Sequence, residues 1–209
     1  MAKINYKRLV ALGCSHTYGH GLEDCFVPPY GFKDSPSELA WPSRLAKLLD
    51  IDTVINLSRP GCSNKYIVHT AMNFKFNPED LITVLWTYND RTTLFFDRNV
   101  CEPIAHWVGS KLSNKFIKNF YSPYDLNFQN SIFINYFNLY VKSLGYHYFC
   151  DIVDHALIDD LSFPVDSSFI NVDFDTHRKK YGKALDQSHM NSQGHADFAK
   201  LWYEKIRAS

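Results

Sequence analysis

Leu9-Val10-Ala11-Leu12-Gly13-Cys14-Ser15-His16-Thr17-Tyr18-Gly19 is a short apolar run that ends in a small, polar, glycine-flanked turn with a serine at its centre. Such a run is expected as a buried strand of a parallel sheet. Ligands in open α/β sheets gather at the carboxyl ends of the strands. The sequence therefore delivers a serine hydroxyl to the place where such a fold does chemistry. A base for that serine has to come from elsewhere in the chain.

Outward from this stretch, strand and helix signals alternate. Residues 8–13 read as the first strand. Residues 39–50 form an amphipathic helix, with Leu45, Leu48 and Leu49 on one face and Pro42 near its start. Residues 53–57 read as a second strand, followed by turn chemistry over 58–64. Residues 63–74 read as a helix capped by Ser63 or Asn64. Residues 81–86 form a continuous apolar run, suited to a central strand. Residues 92–125 break the rhythm, with a helical period over 104–120, and are expected to be an inserted cap or lid. Residues 127–144 form a long aromatic-rich helix stopped by Gly145. Residues 146–150 make a fourth strand. Residues 151–185 are irregular, with a short strand expected over 169–172. Residues 192–206 close the chain as a helix capped by Ser192, with Phe198, Leu201 and Trp202 facing inward. The alternation implies a parallel sheet with helices on both faces, in one domain over 1–209.

Composition limits the function. The chain has 209 residues, 45% of them apolar and 21% charged, an ordinary globular profile. Its formal net charge is zero, which argues against a nucleic-acid partner, since such proteins carry a basic patch or stripe. Lys111, Lys115 and Lys118 are spaced as one solvated helix face. The five cysteines, odd in number and widely spaced, suggest reduced thiols rather than a disulfide framework. Lys3, Lys7 and Arg8 ahead of the apolar run imitate a lipoprotein signal. The run from Leu9 to Leu12 falls short of the ~7–15 residues such a signal needs. No stretch reaches the ~20 apolar residues of a membrane span, so a cytoplasmic protein is expected.

Four places carry the chemistry. Ser15 follows the first strand, Gly61 the second and Asn89 the third. Asp186-Gln187-Ser188-His189 precedes the last helix. In a parallel sheet the first three lie on one edge. Asp186 and His189 are three residues apart on one loop, so a turn can set them side by side. A serine hydroxyl is a weak nucleophile until a base takes its proton. Histidine titrates near neutrality, and a carboxylate on its other ring nitrogen fixes the tautomer.

Gly13-Cys14-Ser15-His16-Thr17, Asn56 with Gly61, Asn89-Asp90 and Asp186-x-x-His189 resemble, in order, the four blocks of the SGNH (GDSL-type) hydrolases. The resemblance spans nearly the whole chain. It implies a three-layer α/β/α sandwich on a mostly parallel, about five-stranded sheet. It implies ester, thioester or acetyl-sugar hydrolysis through an acyl-enzyme, with no metal or cofactor. Ser15 would be the nucleophile, His189 its base and Asp186 the group that orients the imidazole. The Ser15 and Gly61 backbone N–H groups and the Asn89 side-chain amide would be the oxyanion donors. Cys14, Thr87 and Met190 stand where the family usually has aspartate, glycine and proline.

Two other classes are weighed against this. Cys14, His16, His20 and Cys25 offer zinc-ligand chemistry, at a spacing that fits no common zinc pattern. A hydrolase-like fold can also serve as a non-catalytic binding module, although such a module is expected to have lost part of the serine, histidine and aspartate set. Arg91 could meet an anionic substrate group; a surface ion pair is the stronger expectation. The substrate is expected to be a small-molecule, glycan or lipid ester. The acyl group and the oligomeric state are not legible from the sequence.

Overall fold

The strand-forming runs do assemble into one parallel sheet. A computed structural model describes residues 6–29, 31–97, 100–163 and 165–209; Lys3 lies outside them. In chain order the elements are β1 (Arg8–Leu12), α1 (Ser15–Tyr18), β2 (Phe26–Val27), β3 (Gly31–Phe32), α2 (Trp41–Leu49), β4 (Thr53–Asn56), α3 (Asn64–Met72) and β5 (Asp80–Trp86). They continue with β6 (Thr92–Asp97), β7 (Val100–Ile104), α4 (Lys111–Phe120), α5 (Pro123–Ser143), β8 (His147–Ile152), α6 (Phe174–Arg178) and α7 (Ser192–Ala208). The central sheet runs β4-β1-β5-β8, every pair parallel. The fifth strand expected over 169–172 is reduced to a single parallel bridge between Cys150 and Phe169. There the side chain of Asp151 takes the Val172 N–H at 2.7 Å, a bond that a continuing ladder would have supplied.

The period of two along the strands sorts their residues into two cores. Val10, Leu12, Ile82, Val84 and Trp86 point to one face, where they meet Ile67 and Ala71 of α3 and Ile134 and Phe137 of α5. Leu9, Ala11, Leu81 and Leu85 point to the other, against Trp41 and Leu45 of α2 and Phe198 and Trp202 of α7. The result is three layers, helix on sheet on helix. Truncating a fully buried leucine such as Leu9 or Leu12 would cost about 2–5 kcal/mol, the transfer loss plus the cavity left behind.

Helix ends follow local chemistry. Ser63 Oγ accepts the Tyr66 N–H at 3.3 Å. The long helix α5 starts four residues earlier than its apolar period suggests, because Ser122 caps it and Pro123 opens it. Asn191, not Ser192, caps α7, its Oδ1 taking the Gly194 N–H at 3.0 Å.

The segment 92–125 differs most from expectation. Its first part is a β6–β7 hairpin with an irregular register between Phe95 and Asp97, and the helix is confined to α4. Phe116 and Ile117 are half-buried, while Lys111, Lys115 and Lys118 lie exposed on α4, as their spacing predicts. All five cysteines are free thiols. No helix among the described residues is long and apolar enough to cross a membrane.

Candidate active site

The chain leaves β1 through Gly13 and Cys14 and turns at once into the single helical turn α1, so that Ser15 stands at its first position. Cys14 points into the core beside Val10 and Leu12, away from the sheet edge. Asn56 at the end of β4 pins this turn by donating to the Thr17 carbonyl at 2.9 Å. Ser15 itself is 7% exposed.

The loop before α7 is a small self-capped structure. Ala184 N–H donates to the His189 carbonyl at 2.8 Å, and Asn191 N–H to the Gly182 carbonyl at 3.0 Å. Within this frame Asp186 Oδ1 accepts the Ser188 N–H at 3.1 Å and the His189 N–H at 3.0 Å. Asp186 Oδ2 is left for the His189 ring, and takes Nδ1 in a short hydrogen bond. The other ring nitrogen, Nε2, lies 2.8 Å from Ser15 Oγ. The structure thus brings together Ser15, His189 and Asp186, from positions 174 residues apart in the chain.

Gly21 makes room for this arrangement. A Cβ there would lie 2.5 Å from the Asp186 carboxyl carbon, and its φ of +89° disfavours any side chain. The Gly21 carbonyl also holds the loop directly, by accepting the Leu185 N–H at 2.9 Å.

Electrostatics fix the charge states around the serine. Burial alone would raise the Asp186 pKa. Hydrogen bonds from the His189 ring and backbone outweigh it and hold the carboxyl well below the usual carboxylate range. His16 is driven the other way, far below its ordinary value, first by burial and then by the nearby charge of His189. It is a neutral ring wedged against Phe174 at 4.7 Å and His189 at 5.0 Å. His20 stacks on His189, with ring centroids 5.0 Å apart. His195, under the same site, is pushed down to about 3 by burial, and its Nδ1 accepts the Trp41 N–H at 3.2 Å.

Gly61 lies in the turn after β4 with φ +76°, a conformation that favours glycine, and the ring of Trp107 covers it. Asn89 follows β5. Its amide donates to Asn127 Oδ1 in a short hydrogen bond, and Asn130 donates to its carbonyl at 3.1 Å. Two asparagines spaced i, i+3 on α5 thus hold the Asn89 turn. The sequence reading missed both. The signal was there: Asn130 is a buried amide on a mostly apolar helix face, and a buried amide needs a partner.

Two expectations are corrected. Arg91 is not on the surface, although it keeps an ion pair with Asp90. It is 9% exposed, bonds Thr87 Oγ1 at 3.0 Å, and lies between the rings of Tyr88 and Trp107. The Asp90 ion pair is a long one, with Arg91 Nε 3.8 Å from Asp90 Oδ1, beyond hydrogen-bond reach. The four residues Cys14, His16, His20 and Cys25 do not converge as metal ligands. Among the described residues the one cluster with that potential is His20, Asp186 and His189, two of which are already joined to each other and to Ser15.

No family model and no curated protein matches the chain by sequence. Solved structures do match by fold. An acetyl-xylooligosaccharide esterase from Geobacillus stearothermophilus superposes with a TM-score of 0.53 at 14% identity, over 98% of this chain and 96% of that one. A carbohydrate esterase described as having divergent catalytic and non-catalytic binding functions gives 0.51 at 13%, over 97% and 69%. An inhibitor-bound aryl esterase of M. smegmatis gives 0.50 at 13%, over 97% and 99%. The likeness is one of architecture: the chain has the three-layer α/β/α fold of these esterases.

Proposed function

We propose that the protein is a serine esterase that cleaves carboxylic esters, acetyl esters among them, through an acyl-enzyme on Ser15. The observation that carries this reading is the continuous chain Ser15 Oγ, His189 Nε2, His189 Nδ1, Asp186 Oδ2. The activities for which the fold's solved neighbours are named, on acetylated carbohydrate and aryl esters, agree with it.

Ser15 Oγ attacks the ester carbonyl carbon while its proton passes to His189 Nε2. Asp186, an anion across the working pH range, stabilises the imidazolium and keeps Nδ1 protonated. The negative charge on the carbonyl oxygen is met by the Ser15 and Gly61 backbone N–H groups and by the Asn89 amide. One N–H of that amide is committed to Asn127, which orients the other. The tetrahedral intermediate collapses, the carbon–oxygen bond to the alcohol breaks, and His189 returns the proton to the departing oxygen. Water then repeats the sequence on the acyl-enzyme and releases the acid. An amide aimed at the oxyanion contributes about 2.7–4 kcal/mol in a site closed to water.

The segment 92–125 acts as the specificity-bearing part of the domain, since Trp107 stands against Gly61 and Cys101 of β7 against Arg59 of the same turn. The test is hydrolysis of short-acyl nitrophenyl esters by the purified chain and by Ser15→Ala. Turnover by the natural chain alone supports the assignment, and equal turnover by both overturns it.

A further inference from the structure

A groove of about 570 Å³ opens beside the Gly61 turn, between α3 and the β6–β7 hairpin. Arg59, Tyr66, His69 and Phe95 line it. Its tie to the Gly61 turn runs through the backbone of Arg59. The Arg59 N–H donates to the Gly13 carbonyl at 3.2 Å, and the Cys62 N–H to the Arg59 carbonyl at 3.3 Å, so Arg59 opens the turn that carries Gly61.

Its chemistry is aromatic and cationic. Tyr66 and Phe95 lie parallel within 6°, with centroids 6.2 Å apart, and His69 leans on Phe95 at 4.3 Å. Lys65 stands 5.5 Å from the Phe95 ring. No acidic side chain lines the groove among the described residues. Neither Arg59 nor Lys65 has a carboxylate at ion-pair distance among them. The hydrogen bonds that the Arg59 guanidinium makes there both leave from Nη1, to Tyr66 Oη at 3.2 Å and weakly to Cys101 Sγ at 3.8 Å. The edge formed by Nε and Nη2 keeps the fork geometry that matches a carboxylate.

Resting on the esterase reading of Ser15, we propose that this groove takes the alcohol part of the ester and that this part is a ring bearing a carboxylate. The ring lies against Tyr66 and Phe95, and its carboxylate meets Arg59. Two sources share this chemistry, an aromatic acid and an acidic sugar, and the experiment separates them.

The experiment is calorimetric titration of the Ser15→Ala chain, which binds without turnover. The ligands are 4-acetoxybenzoate and an O-acetylated methyl glucuronoside, each beside its own carboxyl methyl ester. At least one acid is expected to bind about tenfold or more tightly than its methyl ester, because charge-assisted bonds to a guanidinium are the strong ones. The acid that shows the preference names the ring. In Arg59→Gln on the same background the preference is expected to vanish. Arg59 is exposed, and a thermal melt checks that this variant folds. Phe95→Ala is expected to weaken the acid and its methyl ester alike. Equal binding of acid and methyl ester, no binding of either acid, or a preference that survives Arg59→Gln would overturn the proposal. Binding is read separately from hydrolysis, so an inactive natural chain would sink the esterase reading and leave this result interpretable.

Discussion

The two edges of the central sheet are finished in opposite ways. At the amino-terminal edge Arg8 Nε and Nη2 each donate to the Asp80 carboxylate at 2.7 Å, and the Asn77 N–H adds a third bond at 2.8 Å. Asp80 is fully buried and fully used. At the carboxyl-terminal edge polar groups are buried with less support. His16 Nδ1, Thr17 Oγ1, Asp90 Oδ1 and Arg91 Nε have no hydrogen-bond partner among the described residues. A buried polar group without a partner costs about 1–3 kcal/mol. One edge uses its charges to hold the strands in register. The other tolerates unsatisfied groups, which is where function is expected to reside in a fold otherwise optimised for stability.

This contrast predicts that changes at one edge abolish activity with little change in stability, and changes at the other do the reverse. The largest effect belongs to Ser15→Ala, with a loss of about 10⁵–10⁶-fold in kcat and an unchanged melting temperature. Asp186→Asn keeps the shape but favours the wrong tautomer of His189, and should lose about 10⁴-fold. Asn89→Ala should lose about 10²–10³-fold in kcat as an oxyanion donor, with KM little changed. A loss below tenfold would remove Asn89 from that role. At the opposite edge, Arg8→Ala leaves the Asp80 carboxylate buried without its partner. Denaturant unfolding should show a loss of about 3–5 kcal/mol, while kcat per folded molecule stays as it was.

A further effect is a pH dependence. Unfolded, His195 takes a proton near pH 6.5; folded, it does so only near 3. Between these values the unfolded chain binds more protons, so stability falls as the pH drops through this window. His16 acts in the same direction. His195→Gln keeps an acceptor for the Trp41 N–H and has no proton to gain. Its melting temperature should fall less steeply between pH 6.5 and 4 than that of the natural chain.

The same contrast explains what the sequence could disclose. Continuous apolar runs such as Leu81–Trp86 are unambiguous, because a strand buried on both faces leaves no polar alternative. Ser15, Asp186 and His189, which the structure brings together, could be singled out because the proposed chemistry needs specific residue types in a recognisable order. The β6–β7 hairpin was not. Its strands are short, its register is irregular and Pro103 sits inside it, so a helical period downstream dominated the reading. The fifth strand failed for a related reason: at 169–172 a side-chain carboxylate replaces the ladder after one bridge. Asn127 and Asn130 were hidden because their role is tertiary, bridging α5 to a turn some forty residues earlier. The burial of Arg91 depends in the same way on Trp107 folding back over it.

The central claim is that His189 activates Ser15 as a nucleophile. A fluorophosphonate probe, which loses fluoride to an activated serine, tests it on the natural chain without knowledge of the substrate. Intact mass followed by peptide mapping is predicted to show one adduct, on Ser15, that is absent from His189→Ala. An unlabelled chain, or a label on any other residue, would contradict the account.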